Sequence, residues 1–327
     1  YNTITRNNIT YNNYGISISS SSNNTISDNN VTENTYEGIF IGSSSNNTLS
    51  DNVMSDNRYN FGVEGYTRSY FLHSVDNSNL VEGKPVYYWI NHHNETVPSD
   101  AGYVALVSCT NITVKDLNLV KNVQGLLLIY TQNSSITNNN ITNNEYDGVH
   151  LLSSSNNTIS DNNVKNNTIG IRFNESSNNT IIQNKITDNA DYGLILQNSS
   201  YNTIFHNSIT YNKWYAGVWL NWSFGNILSE NKITDNCLGI YLDWSSKNTI
   251  SNNNITNNDY GVYLSFSSNN HIYHNNFINN TVRGVDGVAS GGNNWFLEYP
   301  SGGNYWSDWT VPDEKRGPDQ GQGTVYG

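Results

Sequence analysis

An asparagine-rich phrase recurs along this chain at an almost constant interval: "SSSNNTISDNN" from Ser20, "SSSNNTLSDN" from Ser43 and "SSSNNTISDNN" from Ser153. Three apolar or small-residue columns run through the repeats. The first holds Ile4, Ile26, Leu49, Val114, Ile136, Ile159, Ile181, Ile204, Leu228, Ile250 and Ile272, in steps of 22 to 24 residues outside one interruption. A second apolar column lies five residues on (Ile9, Val31, Met54, Leu119, Ile141, and so to Phe277), and a third is glycine, from Gly15 and Gly38 to Gly284. Each glycine precedes an apolar residue, usually with another two places later, so the alternation has period two and never 3.6. A fixed period of this size means a solenoid. No leucine-rich text and no helix accompanies it, which predicts an all-β, right-handed parallel β-helix whose coils stack about 4.8 Å apart.

Three sets of asparagines recur between the predicted strands, as in Asn24, Asn29 and Asn34 or Asn202, Asn207 and Asn212. They are expected at the turns, where Asn tolerates left-handed backbone and stacked amides bond up and down a column. Composition agrees with a packed protein: 35% hydrophobic and 12% aromatic, with 13% charged, is not a solvating disordered chain. A net charge of −12 argues against nucleic acid and anionic membranes. No apolar run is long enough for a membrane span. Cys109 and Cys237 form no metal or redox motif; a disulfide between them stays open. The repeat is already running at Tyr1, as expected of a processed product or a fragment.

The predicted organisation is ordinary coils over 1–63, irregular coils over 64–113 with a protruding loop around His92 to Asp100, coils again over 114–287, and a Gly- and Trp-rich cap or tail over 288–327. "PVYYWI" and "GYVALV" read as strands and "VEGK" as a turn. The coil text, the insert "GKPVYYW…VPSDAGYVALVSCTNITVKDLNL" and the tail "GGNYWSDW" together resemble NosD-like right-handed β-helix proteins, in particular Asn-rich surface and secreted proteins of methane-cycling archaea. The resemblance spans essentially the whole chain and implies an extracellular or cell-envelope location. It also implies the wider superfamily of carbohydrate-binding and sugar-hydrolysing β-helices, without a defined reaction. Similar tails continue into an acidic, glycine-rich stretch; "PDEKRGPDQGQGTVYG" departs from it, which weakens a calcium role for Asp313 or Asp319.

For metals the sequence offers little: one methionine, Met54, in a core column, adjacent His92 and His93, and His206 and His274 three coils apart. No metal site is expected. Asp28 and Asp51 share a column in neighbouring coils, about 5 Å apart, the separation of a retaining glycosidase pair. The bland alternative is a solvated face, since the column continues Asp116, Asn138, Asp161, Gln183, His206 and Glu230. A second acidic group, Glu37, Glu145, Asp147, Asp191 and Asp259, precedes the glycines beside Tyr36, Tyr146, Tyr192 and Tyr260, and suits sugar contact.

Aromatic residues form two columns on successive coils, Trp219, Tyr241 and Tyr263, then Trp222, Trp244 and Phe266. With Asn221, Asp243 and Ser265 nearby they read as a flat ramp for sugar rings or for another copy of the chain, unless Trp295, Trp306 and Trp309 of the tail fold back over it. Sequons are abundant; Asn94, Asn8, Asn30, Asn133, Asn174, Asn198 and Asn221 are the glycosylation candidates. The reading favours an extracellular structural or adhesive protein, glycosylated, stacking end to end and contacting glycans, envelope components or its own copies. A polysaccharide hydrolase or lyase working along the coil face is the alternative.

Overall fold

A computed structural model describes residues 1–297 and 302–307. The chain divides into two compact units, Tyr1–Asn174 and Glu175–Gly327, each a stretch of right-handed parallel β-helix. A coil consists of three short strands, for example Thr25–Ser27, Asn30–Thr32 and Glu37–Gly42. The columns of the sequence become strand registers: Ile4, Ile26 and Leu49 pair in line, as do Ile9, Val31 and Met54. In the second unit Ile204, Leu228, Ile250 and Ile272 do the same. All but Ile4 and Ile9 of these are fully or almost fully buried. Glycine is needed at the third column because the next coil passes so close: a Cβ on Gly148 would sit 2.5 Å from the Gly170 carbonyl oxygen.

The asparagines are the inner struts of the turns. Asn207 donates its backbone N–H (2.9 Å) and its side-chain amide (3.0 Å) to Asn231 Oδ1 in the next coil, and the same amide reaches the Ile181 carbonyl at 2.8 Å. Asn231, Asn253, Asn275 and finally Asn304 repeat the pattern. The left-handed backbone lies elsewhere than expected. It falls on the residue just before each strut, whatever that residue is: Arg6, Tyr11, Asp28, Glu33, Asp51, His206 and Trp222 all have φ between 50° and 58°. The turn geometry is set by stacking, and the outward residue adapts to it. A fourth column was not foreseen. Ser199, Ser223, Ser245 and Ser267 are fully buried, each hydroxyl accepting the preceding serine's N–H, as from Ser199 to Ser223 at 3.0 Å.

In the first unit the insert changes which strands stack together. Leu80–Val81 pairs parallel with the second-column strand Val53–Ser55 and antiparallel with Lys84–Ile90. Glu82 and Gly83, both at positive φ, make that hairpin. Lys84–Ile90 then pairs with Tyr103–Val107, and this with Leu126–Ile129, a glycine-column strand. The earlier glycine-column strands, Ile16–Ser19, Glu37–Gly42 and Tyr59–Glu64, are left as a separate three-stranded sheet. The segment around His92 to Asp100 does not project as a loop. His93 and Thr96 bridge Thr110 and Thr113 in parallel, so it lies along the following coil. At the break in the ladder His73 stands in for asparagine: Asn47 N–H donates to His73 Nδ1 at 3.3 Å. Burial lowers the His73 pKa to about 4, keeping that nitrogen an acceptor.

The described tail residues complete a last coil. Asn293 and Asn304 join the ladders, Tyr305–Trp306 pairs with Asn276–Ile278, and Trp306 stacks on Phe277 at 4.4 Å. Trp295 packs against Gly284 and Trp306. Neither ring stacks on the Trp222 column. Trp309, Asp313 and Asp319 lie outside the described residues. Both cysteines are free thiols, Cys109 buried and Cys237 partly exposed.

Candidate active site

The rearranged strands of the first unit leave a cleft of about 380 Å³, within the size range of small-ligand sites. One wall comes from the separated three-stranded sheet and the residues after it: Ser19, Phe40, Ser43, Val63, Glu64, Tyr66 and Phe71. The other comes from Tyr146, Asp147, His150, Arg172 and Asn174. Alternation along Asp147–Leu152 and Ile169–Asn174 explains the second wall. Val149, Leu151, Ile171 and Phe173 are buried in the core, and His150 and Arg172, paired in register, emerge on the other face.

Asp147 is fixed from two sides. Its Oδ1 accepts Arg172 Nε–H at 2.8 Å and its Oδ2 lies 3.5 Å from His150 Nδ1. A carboxylate so placed orients the imidazole and favours the proton on Nδ1, leaving Nε2 as the basic nitrogen. That Nε2 has no hydrogen-bond partner. Burial lowers the His150 pKa below the usual histidine value, against the opposing pull of Asp147, so the ring is a neutral base near pH 7. Glu64 is shifted in the opposite sense: burial, then the charges of Asp147 and Glu37, raise its pKa while Arg172 lowers it. One cleft thus holds a proton acceptor and a carboxyl that resists ionisation, the division of roles that acid–base catalysis requires.

Glu37 and Glu145 adjoin this cluster with their Oε2 atoms buried, and the two carboxyls are close enough to share a hydrogen bond when one is protonated. Burial and the neighbouring Glu37 carboxyl push Glu145 up to about 7, with Arg58 opposing and Glu64 adding. The same acids and burial push Tyr146 up to about 12. The sign for stability follows by linkage. An unfolded Glu145 ionises near 4.5, whereas the folded chain holds the proton to about pH 7. Its contribution is therefore whole below pH 4.5 and is lost as pH rises through that window. Glu145→Gln is expected to gain stability over wild type between pH 4.5 and 7 and to hold a constant advantage above it, as read by urea unfolding across the pH range.

Of the residues singled out in the sequence, Tyr146, Asp147 and Asn174 line this cleft, and Glu37 and Glu145 adjoin it. Glu64, His150 and Arg172 were missed. Asp28 and Asp51 do not join them: both are exposed turn residues at left-handed φ, 57° and 55°, where the fold demands that conformation of any residue. His206 pairs with Glu230 at 3.2 Å on an exposed turn. Asn8, Asn30, Asn94, Asn133 and Asn198 are exposed, while Asn174 and Asn221 are half-buried. Asn94 Oδ1 accepts from Asn111 Nδ2 at 2.7 Å.

The aromatic columns lie in the second unit. Val218, Leu220, Ile240, Leu242, Val262 and Leu264 are fully buried, and the residues between and beyond them point outward. Trp222, Trp244 and Phe266 do not form a flat ramp. Their planes are parallel within 3° and their centroids 4.9 and 4.5 Å apart, so the rings stack on each other, slid as in a staircase. Trp219 stacks on Tyr192 at 5.2 Å and on Tyr241 at 6.2 Å, with Tyr263 tilted beyond. Burial raises the Asp243 pKa, against a bond from Ser265.

Comparison with known proteins places these features in context. The model of the right-handed β-helix region matches residues 1–97 and 103–237. The model of the periplasmic copper-binding protein NosD matches residues 212–311. No curated protein matches. Among solved structures, the periplasmic alginate epimerase AlgG is 17% identical with a TM-score of 0.55, over 82% of this chain and 75% of that one. The A-module of the Azotobacter vinelandii mannuronan C-5 epimerase AlgE6 is 15% identical with a TM-score of 0.56, over 86% and 90%. Likeness at this identity shows the fold. Copper does not suit the residues present. No group of three or more His, Cys, Asp or Glu gathers to hold a metal among the described residues, and Met54 is buried in the core. Among those residues no helix is long and apolar enough to cross a membrane.

Proposed function

The chain belongs to the NosD-like right-handed parallel β-helix family, and we propose that it is a polysaccharide-active enzyme of an extracellular or envelope compartment, working at the cleft of its first unit. One observation carries this reading: Glu64, whose pKa burial raises, shares the cleft with an imidazole oriented by Asp147. Phe40 and Tyr66 offer apolar faces to sugar rings, and Ser19, Ser43 and Asn174 offer hydrogen-bonding groups. The periplasmic description of the NosD model and of AlgG supports the compartment. The epimerases of similar fold support a polysaccharide as substrate.

Hydrolysis of an uncharged polysaccharide suits the electrostatics best. Glu64 gives its proton to the glycosidic oxygen as the bond to the anomeric carbon breaks. A water attacks that carbon and passes a proton to His150, whose Nε2 is closed to solvent in the free chain and must be uncovered as the substrate enters. Arg172 spends its Nε–H on Asp147, and with Glu64 protonated and Glu145 pushed up to about 7, Glu37 and Asp147 roughly balance Arg58 and Arg172, so the cleft holds no surplus of positive charge to gather a polyanion. A second reaction, removal of a ring proton beside a uronate carboxylate, is favoured by Arg172 alone, through the remainder of its guanidinium. Incubation with uncharged and uronate polysaccharides separates them: new reducing ends without unsaturated sugar indicate hydrolysis, and solvent hydrogen entering the ring without chain scission indicates epimerisation. No change in any polymer removes the enzymatic reading.

The alternative of a glycosylated structural or adhesive surface protein draws its support from the ladder-built scaffold and from the exposed sequons at Asn8, Asn30, Asn94, Asn133 and Asn198. An intact mass from the native source equal to that of the bare chain would count against the glycosylated form.

A further inference from the structure

We infer that Trp222, Trp244 and Phe266 of the second unit form a binding surface for an uncharged glycan, separate in its chemistry from the cleft and independent of whether the cleft is catalytic. The column they occupy must adopt left-handed backbone in every coil, and elsewhere it holds mostly small or polar residues such as Ser43, Ser153, Glu175 and Asn198, with a single isolated ring at Tyr130. Trp222, Trp244 and Phe266 take that conformation at φ 50°, 51° and 46° in three consecutive coils. Bulky residues are disfavoured there relative to Asn, a backbone cost that the mutual stacking of the three rings offsets, so their net gain to the scaffold is small. Nor are they core: the three keep 48%, 42% and 38% of their surface exposed.

The staircase decides how a ligand meets it. Each slid ring shows part of a face and a full edge, repeating at the coil spacing, so the surface suits an extended polymer running from coil to coil. The half-buried Asn221 and Asp243 precede Trp222 and Trp244 in register, with the buried Ser265 bonded to Asp243 behind them, so polar groups lie beside the apolar ring faces as the two sides of a sugar ring require. The charges along these turns, Asp243 and Lys247, cancel, which selects an uncharged chain over a polyanion.

The test exploits the fold's own alternatives. The triple variant Trp222→Asn, Trp244→Asn, Phe266→Asn places at all three positions the residue that column already carries at Asn198, so it should fold with a thermal midpoint close to that of wild type, the easier left-handed backbone offsetting the lost ring stacking. Affinity electrophoresis of the full chain through gels containing β-glucan, mannan, xylan, alginate or polygalacturonate reads binding. Wild type should be retarded by at least one of the three uncharged polymers, and the triple variant should lose at least tenfold in affinity. The triple variant should keep the wild-type rate of bond cleavage on short soluble oligosaccharides while losing polymer binding, which keeps this result apart from the cleft's. Retardation by alginate or polygalacturonate alone, unchanged binding by the triple variant, or no binding at all overturns the proposal. So does self-association of wild type, by sedimentation, that the triple variant abolishes, since the rings then serve a second copy.

Discussion

Asn207→Ala should destabilise the second unit by about 3 to 5 kcal/mol, among the largest effects of any single substitution in this fold. The side chain removed accepts from Asn184 N–H at 2.9 Å and from the Asn184 amide at 3.0 Å, and donates to Asn231 Oδ1, to the Ile181 carbonyl and to the Phe205 carbonyl at 3.0 Å. Asn184, Asn207 and Asn231 are each 1% exposed, so water cannot replace the lost partners. The adjacent substitution His206→Asn should change stability by less than about 1 kcal/mol, because residue 206 is exposed and Asn accepts its left-handed backbone readily. Urea unfolding followed by far-UV circular dichroism compares the two. Hydrogen exchange should show protection falling first in the coils flanking residue 207, as expected where each repeat touches only its neighbours. Equal effects at 206 and 207 would mean that the inner asparagines are spacers and not struts.

The second large effect is on turnover. Asp147→Asn should lower kcat/KM by about 10² to 10⁴, the range for disabling positioned proton transfer, because the imidazole loses the carboxylate that orients it. The pH profile adds a readout that mere unfolding would not give. Activity requires His150 neutral and Glu64 protonated. Burial lowers the first pKa below the usual 6.5 and raises the second above the usual 4.5, so the two limbs of the bell are drawn towards each other. Glu64→Gln should remove the alkaline limb together with most of the rate. Asp28→Asn and Asp51→Asn should leave both the rate and the profile unchanged.

The scaffold was legible because every coil writes the same physical requirement in the same place. Ile26, Asn29 and Gly38 recur since a parallel stack forces identical environments on aligned positions, and a period can be counted. What was misplaced within the coil, the left-handed residue, could not be told from its neighbour: Asp28 and Asn29 are both turn formers, and only the structure shows which one points inward. Buried Ser199 and Ser223 hid in text that reads as surface. The tail's Asn293 and Asn304 were overlooked because their spacing departs from the repeat, although they finish the same ladders.

The cleft was legible only by address. The insert was where the pattern broke, but Glu64 lies at its start and His150 and Arg172 lie in coils of ordinary appearance beyond it. They meet because the hairpin at Glu82 and Gly83 hands one strand column over to another, a long-range event with no local signature except the "VEGK" turn. His150 carried the one available signal: a histidine on the outward face of a glycine-column strand, three residues after a buried aspartate. The aromatic columns were placed correctly on the surface, yet their mutual stacking follows from side-chain rotamers that periodicity cannot reveal.

The most direct measurement compares reducing-end release from uncharged polysaccharides by wild type and by His150→Ala, at equal concentration and with both shown to be folded by circular dichroism. Release by wild type, with a loss of at least a hundredfold in the variant, is the predicted result. Release that is the same in both, or absent from wild type on every polymer, would contradict the assignment of the cleft as an active site.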